Sequence, residues 1–316
     1  MTSVYSRAEI ERVIQPKQVI AAMERAFVAY SSGEAIIPPV GHLDFEDPPG
    51  DCHIKYGYLK QGSTFTVKIA TGFWRNPERG LASSNGVVLV FSSKTGELLT
   101  IFQDEGYLTD ARTAAAGAVA AKYLAPRGIE CIGIVGAGLQ AKLQLEYLRE
   151  VTACRRVKLW ARSAERARAL AVPGFDIEVA VSAAEVAASA RLIVTTTASR
   201  GWLLGAADVA PGTHITAVGA DGGGKQELDP KLFALAQVRA VDSLSQCSAY
   251  GDSAFALEQH LIEKRDLVEL GQVILNPALR RRSELDITIA DLTGVAVQDM
   301  AIAELALQGL QPKGPE

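Results

Sequence analysis

The feature that most constrains this chain is an apolar run, a glycine turn and a helix in immediate succession. Cys131, Ile132, Gly133, Ile134 and Val135 lead into Gly136, Ala137, Gly138, Leu139, Gln140 and Ala141, and Leu143, Leu145, Tyr147 and Leu148 follow at helical spacing. A continuous apolar run suits a strand buried on both faces of a parallel sheet. The Gly-x-Gly-x-x-Ala turn has a physical reason at each small residue. Gly136 permits the tight turn, Gly138 lets the backbone approach a pyrophosphate, and Ala141 keeps the helix close to its strand. The first N–H groups of the helix then face the anion with the positive end of the helix dipole.

The surrounding pattern supports the same architecture. Strand-like runs at 157–160, 192–197, 214–219 and 239–242 alternate with helical stretches, which predicts a Rossmann-type, doubly wound parallel sheet over residues 125–285. The N-terminal half has a different texture. A helical stretch from 7 to 32 is interrupted at Pro16, and runs at 65–70, 86–91 and 98–102 read as strands, the last two joined by a turn at Lys94, Thr95, Gly96 and Glu97. An alanine-rich helix over 109–124 closes this half. The segment from Ile287 onward reads as a strand, a turn at Gly294 and a helix, and is expected to pack back on the N-terminal half. The expected division is therefore 1–124 with 286–316 as an α+β substrate-binding and dimerisation domain, and 125–285 as the dinucleotide-binding domain.

Composition narrows the partners. A net charge of −4 with no basic run argues against nucleic acid. No stretch of about 18 apolar residues is present, so no membrane span is expected. The N-terminus lacks the apolar region of a signal peptide, and Cys52, Cys131, Cys154 and Cys247 form no paired motif, which suits a reducing cytoplasm. His42, His53, His214 and His260 show no ligand spacing, so no metal is assigned.

The end of the second parallel strand discriminates between nucleotides. NAD-selective sites usually place an acid there for the ribose hydroxyls. Here Trp160 is followed by Ala161, Arg162 and Ser163, with Arg166 just beyond. Guanidinium groups pair with phosphate oxygens, so NADP(H) is the expected cofactor, with NAD(H) possible. Thr195, Thr196 and Thr197 end a strand where a dinucleotide crosses the sheet, and they join the cofactor-binding candidates.

Four strings of residues resemble the ornithine cyclodeaminase/mu-crystallin family over almost the whole chain. They are Leu108-Thr109-Asp110-Ala111-Arg112-Thr113-Ala114-Ala115-Ala116, Lys122-Tyr123-Leu124-Ala125, the glycine turn, and Gly219-Ala220-Asp221-Gly222-Gly223-Gly224-Lys225-Gln226-Glu227-Leu228-Asp229. The resemblance implies a homodimer and hydride transfer at a carbon that bears nitrogen beside a carboxylate. It makes Lys68, in Val67-Lys68-Ile69-Ala70-Thr71-Gly72-Phe73, the active-site lysine. Arg112 becomes a contact of the substrate carboxylate or the cofactor phosphate, and Asp221 the catalytic aspartate. Ser83, Thr113, Gly219 and Val295 become cofactor neighbours. The residue chemistry agrees: Arg112 offers a planar fork to a carboxylate, Asp221 can stabilise an iminium, and Lys68 can bind a carboxylate or give a proton if burial lowers its pKa. Taken alone, Lys68 reads first as a solvated charge at a strand end and Asp221 as a turn residue, while Asp299 reads equally as a charge on a helix surface.

Two departures from the family pattern bear on the substrate. Cyclodeaminases carry an arginine where this chain has Pro38, Pro39 and Val40, and a glutamate thirteen residues before the lysine, where this chain has Lys55. A lysine there repels the cationic side chain of ornithine and either favours a second carboxylate or takes over the anchoring lost with the arginine; taken alone, it reads equally as a charge that points to solvent. The leading expectation is thus an NAD(P)H-dependent reductase of a 2-imino acid, of ketimine or iminosuccinate type, giving an amino acid. The alternatives are a cyclodeaminase that releases ammonia, and a protein that binds NADP(H) and a small ligand without turnover.

Overall fold

The computed structural model describes residues 2–310. The described residues divide into two compact units, one formed by 2–112 with 295–310 and the other by 113–294.

In the first unit the chain runs β1 (Ser3–Ser6), α1 (Arg7–Val13), α2 (Pro16–Ser31), β2 (Ala35–Ile36), β3 (Gly41–Phe45), β4 (Gly50–Leu59), β5 (Thr64–Phe73), β6 (Ser84–Ser92), β7 (Leu98–Gln103) and then into α3 (Tyr107–Leu124). Pro16 opens α2, where its missing N–H costs nothing. The strands form a seven-stranded sheet in the order β1-β7-β6-β5-β4-β2, with β3 also paired to β4. β4 and β5 form a long antiparallel hairpin whose register sets Lys55 directly opposite Lys68. Because side chains alternate across a strand, Lys55 and Gly57 of β4 point inward while Tyr56 and Tyr58 point out. Lys68 sits in the middle of β5, paired on its other side with Val88 of β6, not at a strand end.

The second unit continues from α3 through β8 (Ile132–Val135), α4 (Leu139–Leu148), β9 (Arg156–Trp160), α5 (Ala164–Ala169), β10 (Asp176–Val179), α6 (Ala183–Ser189), β11 (Leu192–Thr195), β12 (Arg200–Leu204), β13 (His214–Ala217), β14 (Gln226–Leu228), α7 (Lys231–Leu235), β15 (Val238–Val241), α8 (Leu244–Tyr250), α9 (Asp252–Glu258), β16 (Val268–Glu269), α10 (Leu270–Leu275) and β17 (Thr288–Asp291). Eight strands form an all-parallel sheet in the order β10-β9-β8-β11-β13-β17-β15-β16, and β12 pairs with β14 apart from it. The four residues of β8 are wholly buried, as are those of β11 and β13; β8 and β11 read as apolar runs for that reason, whereas β13 carries the buried polar pair His214 and Thr216, hydrogen-bonded to each other (3.0 Å). Gly133 is needed here, since a Cβ would press into Val186 of α6 and Ala190 just beyond it. From β8 the chain winds outward to β9 and β10, then returns to β11 on the other side of β8. That reversal makes the carboxyl ends of β8 and β11 the switch point, where such sheets bind ligands.

α11 (Ala296–Leu310) closes the chain and belongs to the first unit, packed with α2, β4 and β5. β17 does not. It lies between β13 and β15 in the parallel sheet, so the strand expected to return to the N-terminal half belongs to the nucleotide unit. Its four residues are all buried, as expected for a parallel strand covered on both faces of its sheet. The divisions expected at 124 and 286 accordingly fall at 112 and 294. The first lies inside α3.

Candidate active site

In the second unit, a crevice of about 250 Å³ opens over the carboxyl ends of β8, β9 and β11. Gly136, Ala137 and Gly138 form its floor, Ala161, Arg162, Ser163 and Arg166 one wall, and Thr196 and Thr197 the other. The turn is fixed by hydrogen bonds from Gly136 N to Trp160 O (2.8 Å) and from Thr196 N to Val135 O (2.9 Å). Gly136 has φ +125°, and a Cβ there would collide with the Thr196 hydroxyl. Gly138 differs. It caps α4 at φ −90°, and a Cβ there would meet no protein atom within 4 Å. Neither backbone strain nor packing demands glycine at that point, so the space it leaves is free for a ligand against the first turn of α4. That space, with the free N–H groups of a ten-residue helix, fits a pyrophosphate. Leu139 is exposed on that turn, Gln140 half-buried, and Ala141 fully buried against the sheet.

The Ser163 hydroxyl accepts from Arg166 N (3.3 Å), which caps α5 and leaves its own proton to donate. Arg162 and Arg166 are exposed on the crevice wall. Thr195, grouped with Thr196 and Thr197 as a cofactor contact, is turned inward. It is fully buried, and its hydroxyl donates to Glu227 (2.7 Å). Gly219, just after β13, also donates its N–H to Glu227 (2.8 Å). Asp221 lies on the following loop, more than half exposed and paired with Lys225. Thr113, half-buried, accepts at its carbonyl from Gln144.

In the first unit, the inward face of the β4–β5 hairpin holds a second cluster. Lys55 is 8% exposed, Lys68 2%, Arg112 6% and Asp299 2%. Lys68 Nζ lies 3.1 Å from both carboxylate oxygens of Asp299, and Arg112 Nε lies 3.1 Å from Oδ1. Burial pulls the Lys68 pKa down to about 7. Asp299 opposes the fall, while Arg112 and Lys55 add to it. Burial alone would raise the Asp299 carboxyl, but Lys68, Arg112 and Lys55 together hold it below the usual carboxylate range. Nearby, burial raises the Asp104 carboxyl, whose Oδ2 accepts from Leu108 N (2.8 Å) at the start of α3. Arg112 spends its Nε on Asp299. Among the described residues that is its hydrogen bond, and the two terminal nitrogens remain for an end-on carboxylate.

Asp299 is therefore a buried partner of two cations and not a helix surface charge. The signal for it is an acid inside Val295-Ala296-Val297-Gln298-Asp299-Met300-Ala301-Ile302-Ala303, a stretch apolar enough to be core. Val295, fully buried, donates its N–H to Gln298 Oε1 (2.8 Å). Ser83 is exposed in the loop before β6, its carbonyl accepting from Phe73 N.

The crevice over a glycine turn in one unit and the buried cation cluster in the other suit an NAD(P)-dependent oxidoreductase acting on CH–NH or CH–NH2 groups, the activity of the family and relatives that the chain matches. Residues 1–311 match the ornithine cyclodeaminase/mu-crystallin family, and the chain belongs to it. Three solved structures are similar over nearly their whole length. An archaeal alanine dehydrogenase dimer with bound NAD is 34% identical, with a TM-score of 0.89 and 98% and 95% of the two chains covered. The Δ1-pyrroline-2-carboxylate reductase of Thermococcus litoralis, in complex with NADH and L-proline, is 28% identical, with a TM-score of 0.91 and coverage of 98% and 97%. The iminosuccinate reductase of Paracoccus denitrificans, in complex with NAD+, is 30% identical, with a TM-score of 0.86 and coverage of 98% and 96%. Among the described residues no helix is long and apolar enough to cross a membrane.

Proposed function

We propose that this enzyme reduces a 2-imino acid bearing a second carboxylate, of the iminosuccinate type, to the corresponding amino acid, with NADPH preferred over NADH. The observation that carries the reading is the buried cluster of Lys55, Lys68 and Arg112 around Asp299. A buried cation cluster suits an anionic substrate, and a guanidinium fork with its terminal nitrogens available suits a carboxylate. The nicotinamide supplies hydride to the imine carbon when bound. Arg112 holds the 2-carboxylate end-on. Lys68, with a pKa of about 7, can hold a proton beside the imine nitrogen and release it as the amine forms. Lys55, opposite Lys68 across the hairpin, takes the distal carboxylate. It also repels a cationic side chain, which weighs against ornithine and cyclodeamination. Asp221 is assigned, by family resemblance, to steady the iminium charge.

The NADPH preference rests on Arg162, Ser163 and Arg166 along the crevice wall and on the absence of a carboxylate at Ala161. The three similar enzymes hold NAD or NADH, so this preference is a property read for this chain alone. A homodimer is proposed on the outward face of the first sheet. Ile36, Tyr56 and Tyr58 there are exposed and line a recess of about 340 Å³, and the archaeal alanine dehydrogenase is a dimer.

The test is oxidation of NADPH and NADH by purified protein with oxaloacetate, pyruvate or 2-oxoglutarate in ammonia, and with cyclic ketimine carboxylates. Oxaloacetate with ammonia and NADPH is expected to be the best combination. Release of ammonia and proline from ornithine with no net change in NADPH would overturn the reductase reading.

A further inference from the structure

Glu227 is the middle residue of the short strand β14, has no exposed surface, and accepts four hydrogen bonds. Oε2 accepts from the Thr195 hydroxyl (2.7 Å) and from Gly219 N (2.8 Å). Oε1 accepts from the Thr197 hydroxyl (2.7 Å) and from Thr197 N (2.5 Å). Its donors thus come from the carboxyl end of β11 and from the residue just past β13, the two strands beyond the switch point. The backbones meet closely here. A Cβ on Gly219 would strike the Thr197 carbonyl, so the two strand ends approach as only glycine allows. Thr197 also lines the crevice, and Gly219 begins the loop that carries Asp221.

A Rossmann sheet takes the adenine half of a dinucleotide on one side of its switch point and the nicotinamide half on the other. The glycine turn and Arg162 lie at β8 and β9. β11 and β13 are therefore the nicotinamide side. We propose that Glu227 is the positioning residue of that side, clasping the carboxyl ends of β11 and β13 at the separation the nicotinamide half requires.

The donor pattern specifies a carboxylate. Each oxygen receives one backbone N–H, which can only donate. A glutamine in either amide orientation would set its own N–H2 against one of them, leaving that donor without an acceptor. Asp252 braces the clasp from behind. Its Oδ1 accepts from Glu227 N (2.8 Å) and Leu228 N (2.9 Å), and Asp291 in turn accepts from Asp252 N and from Ser253 N and Oγ. Burial raises the carboxyls of Glu227, Asp252 and Asp291 above the usual range. At Glu227 the four donors oppose that rise, because each hydrogen bond favours the charged, accepting form.

The experiment compares two ligands that differ only in the nicotinamide: NADP+ against 2′-phospho-ADP-ribose, or NAD+ against ADP-ribose, whichever pair wild-type protein binds more tightly. Calorimetric Kd values are measured on the full chain for wild type, Glu227→Gln and the near-isosteric Thr195→Val. Glu227→Gln is expected to weaken the dinucleotide tenfold or more while leaving the ADP-ribose partner within twofold. Thr195→Val, which removes one donor and preserves the fold, is expected to show a smaller loss with the same selectivity. Equal weakening of both ligands, or no change in either, would overturn the proposal, and if Glu227→Gln fails to fold the decision rests on Thr195→Val.

Discussion

Replacing Asp299 with asparagine tests the reading of the cation cluster most directly. The carboxylate lies 3.1 Å from Lys68 Nζ. At an effective dielectric near 20, that separation corresponds to about 5 kcal/mol of attraction, or nearly four pKa units. Water entry and relaxation reduce the figure, so a fall of at least about one unit is expected in the variant. The sign follows from Lys68's lowered pKa of about 7. If protonated Lys68 is the form that reduces, kcat/KM for the 2-imino acid is level below pH 7 and declines above it. In Asp299→Asn the decline begins at about pH 6 or lower, so at pH 7.5 the variant is about tenfold or more below wild type and recovers on acidification. Stability falls too, because two buried cations lose their partner, typically at about 3–5 kcal/mol. The lysine contributes its own pH dependence. The unfolded chain keeps that proton to about pH 10, so the penalty on the fold is complete below the folded pKa and fades as pH rises above it. The assay is a pH profile of NADPH oxidation alongside thermal melts at matched pH. A pH profile unchanged in Asp299→Asn would refute the reasoning, since the carboxylate could not then be setting the state of Lys68.

Three further outcomes are expected. Gly138→Ala should melt within a degree or two of wild type, because its Cβ meets no protein atom and its φ is ordinary, yet it should bind the dinucleotide at least about tenfold more weakly, a loss equivalent to about 1.4 kcal/mol. Calorimetry and a thermal melt on the same sample decide it. Arg162→Ala should weaken NADPH by about tenfold, in keeping with loss of a charge-assisted hydrogen bond, and leave NADH nearly unchanged; equal loss for both would remove the arginine from the 2′-phosphate site. Tyr58→Lys places a charge on the exposed apolar face of the hairpin and should convert the proposed dimer to monomer in light scattering, whereas a dimeric mass unchanged by the substitution would move the interface elsewhere.

Much of the nucleotide unit was legible because its determinants are local. The run at 131–135, the turn at 136–141 and the missing acid after Trp160 are each contiguous, and parallel strands buried on both faces announce themselves as apolar runs. The pairing of Lys55 with Lys68 depends on the short connection between β4 and β5, where Gly62 N donates to Leu59 O (2.8 Å) in a tight turn, and the register from there sets those positions opposite one another. Asp299 was not legible. It meets Lys68 across 231 residues of sequence, and one acid near a helix start is ordinarily a solvated charge. Glu227 was hidden for a similar reason, because its partners at Thr195, Thr197 and Gly219 come from two other strand ends. β17 was misplaced because the step from one unit to the other, after Gly294, leaves no mark in hydrophobic periodicity. Polar networks that join distant segments have no period to read, whereas packing against a sheet does.

The register of the β4–β5 hairpin has a consequence for how such an enzyme could change substrate over time. Next along β4 on the inward face comes Gly57, where any side chain would run into Ile37 and the Ile36 carbonyl, so that neighbouring position offers no room for another charge. Position 55 remains, and a single base change separates either lysine codon from a glutamate codon. A glutamate there would face Lys68 as an opposite-charge cross-strand pair, which sheets favour, so the exchange leaves the backbone undisturbed. If Lys55 takes the distal carboxylate as proposed, one mutational step reverses the charge that this position presents to a substrate, with no intermediate that has to survive a rebuilt fold.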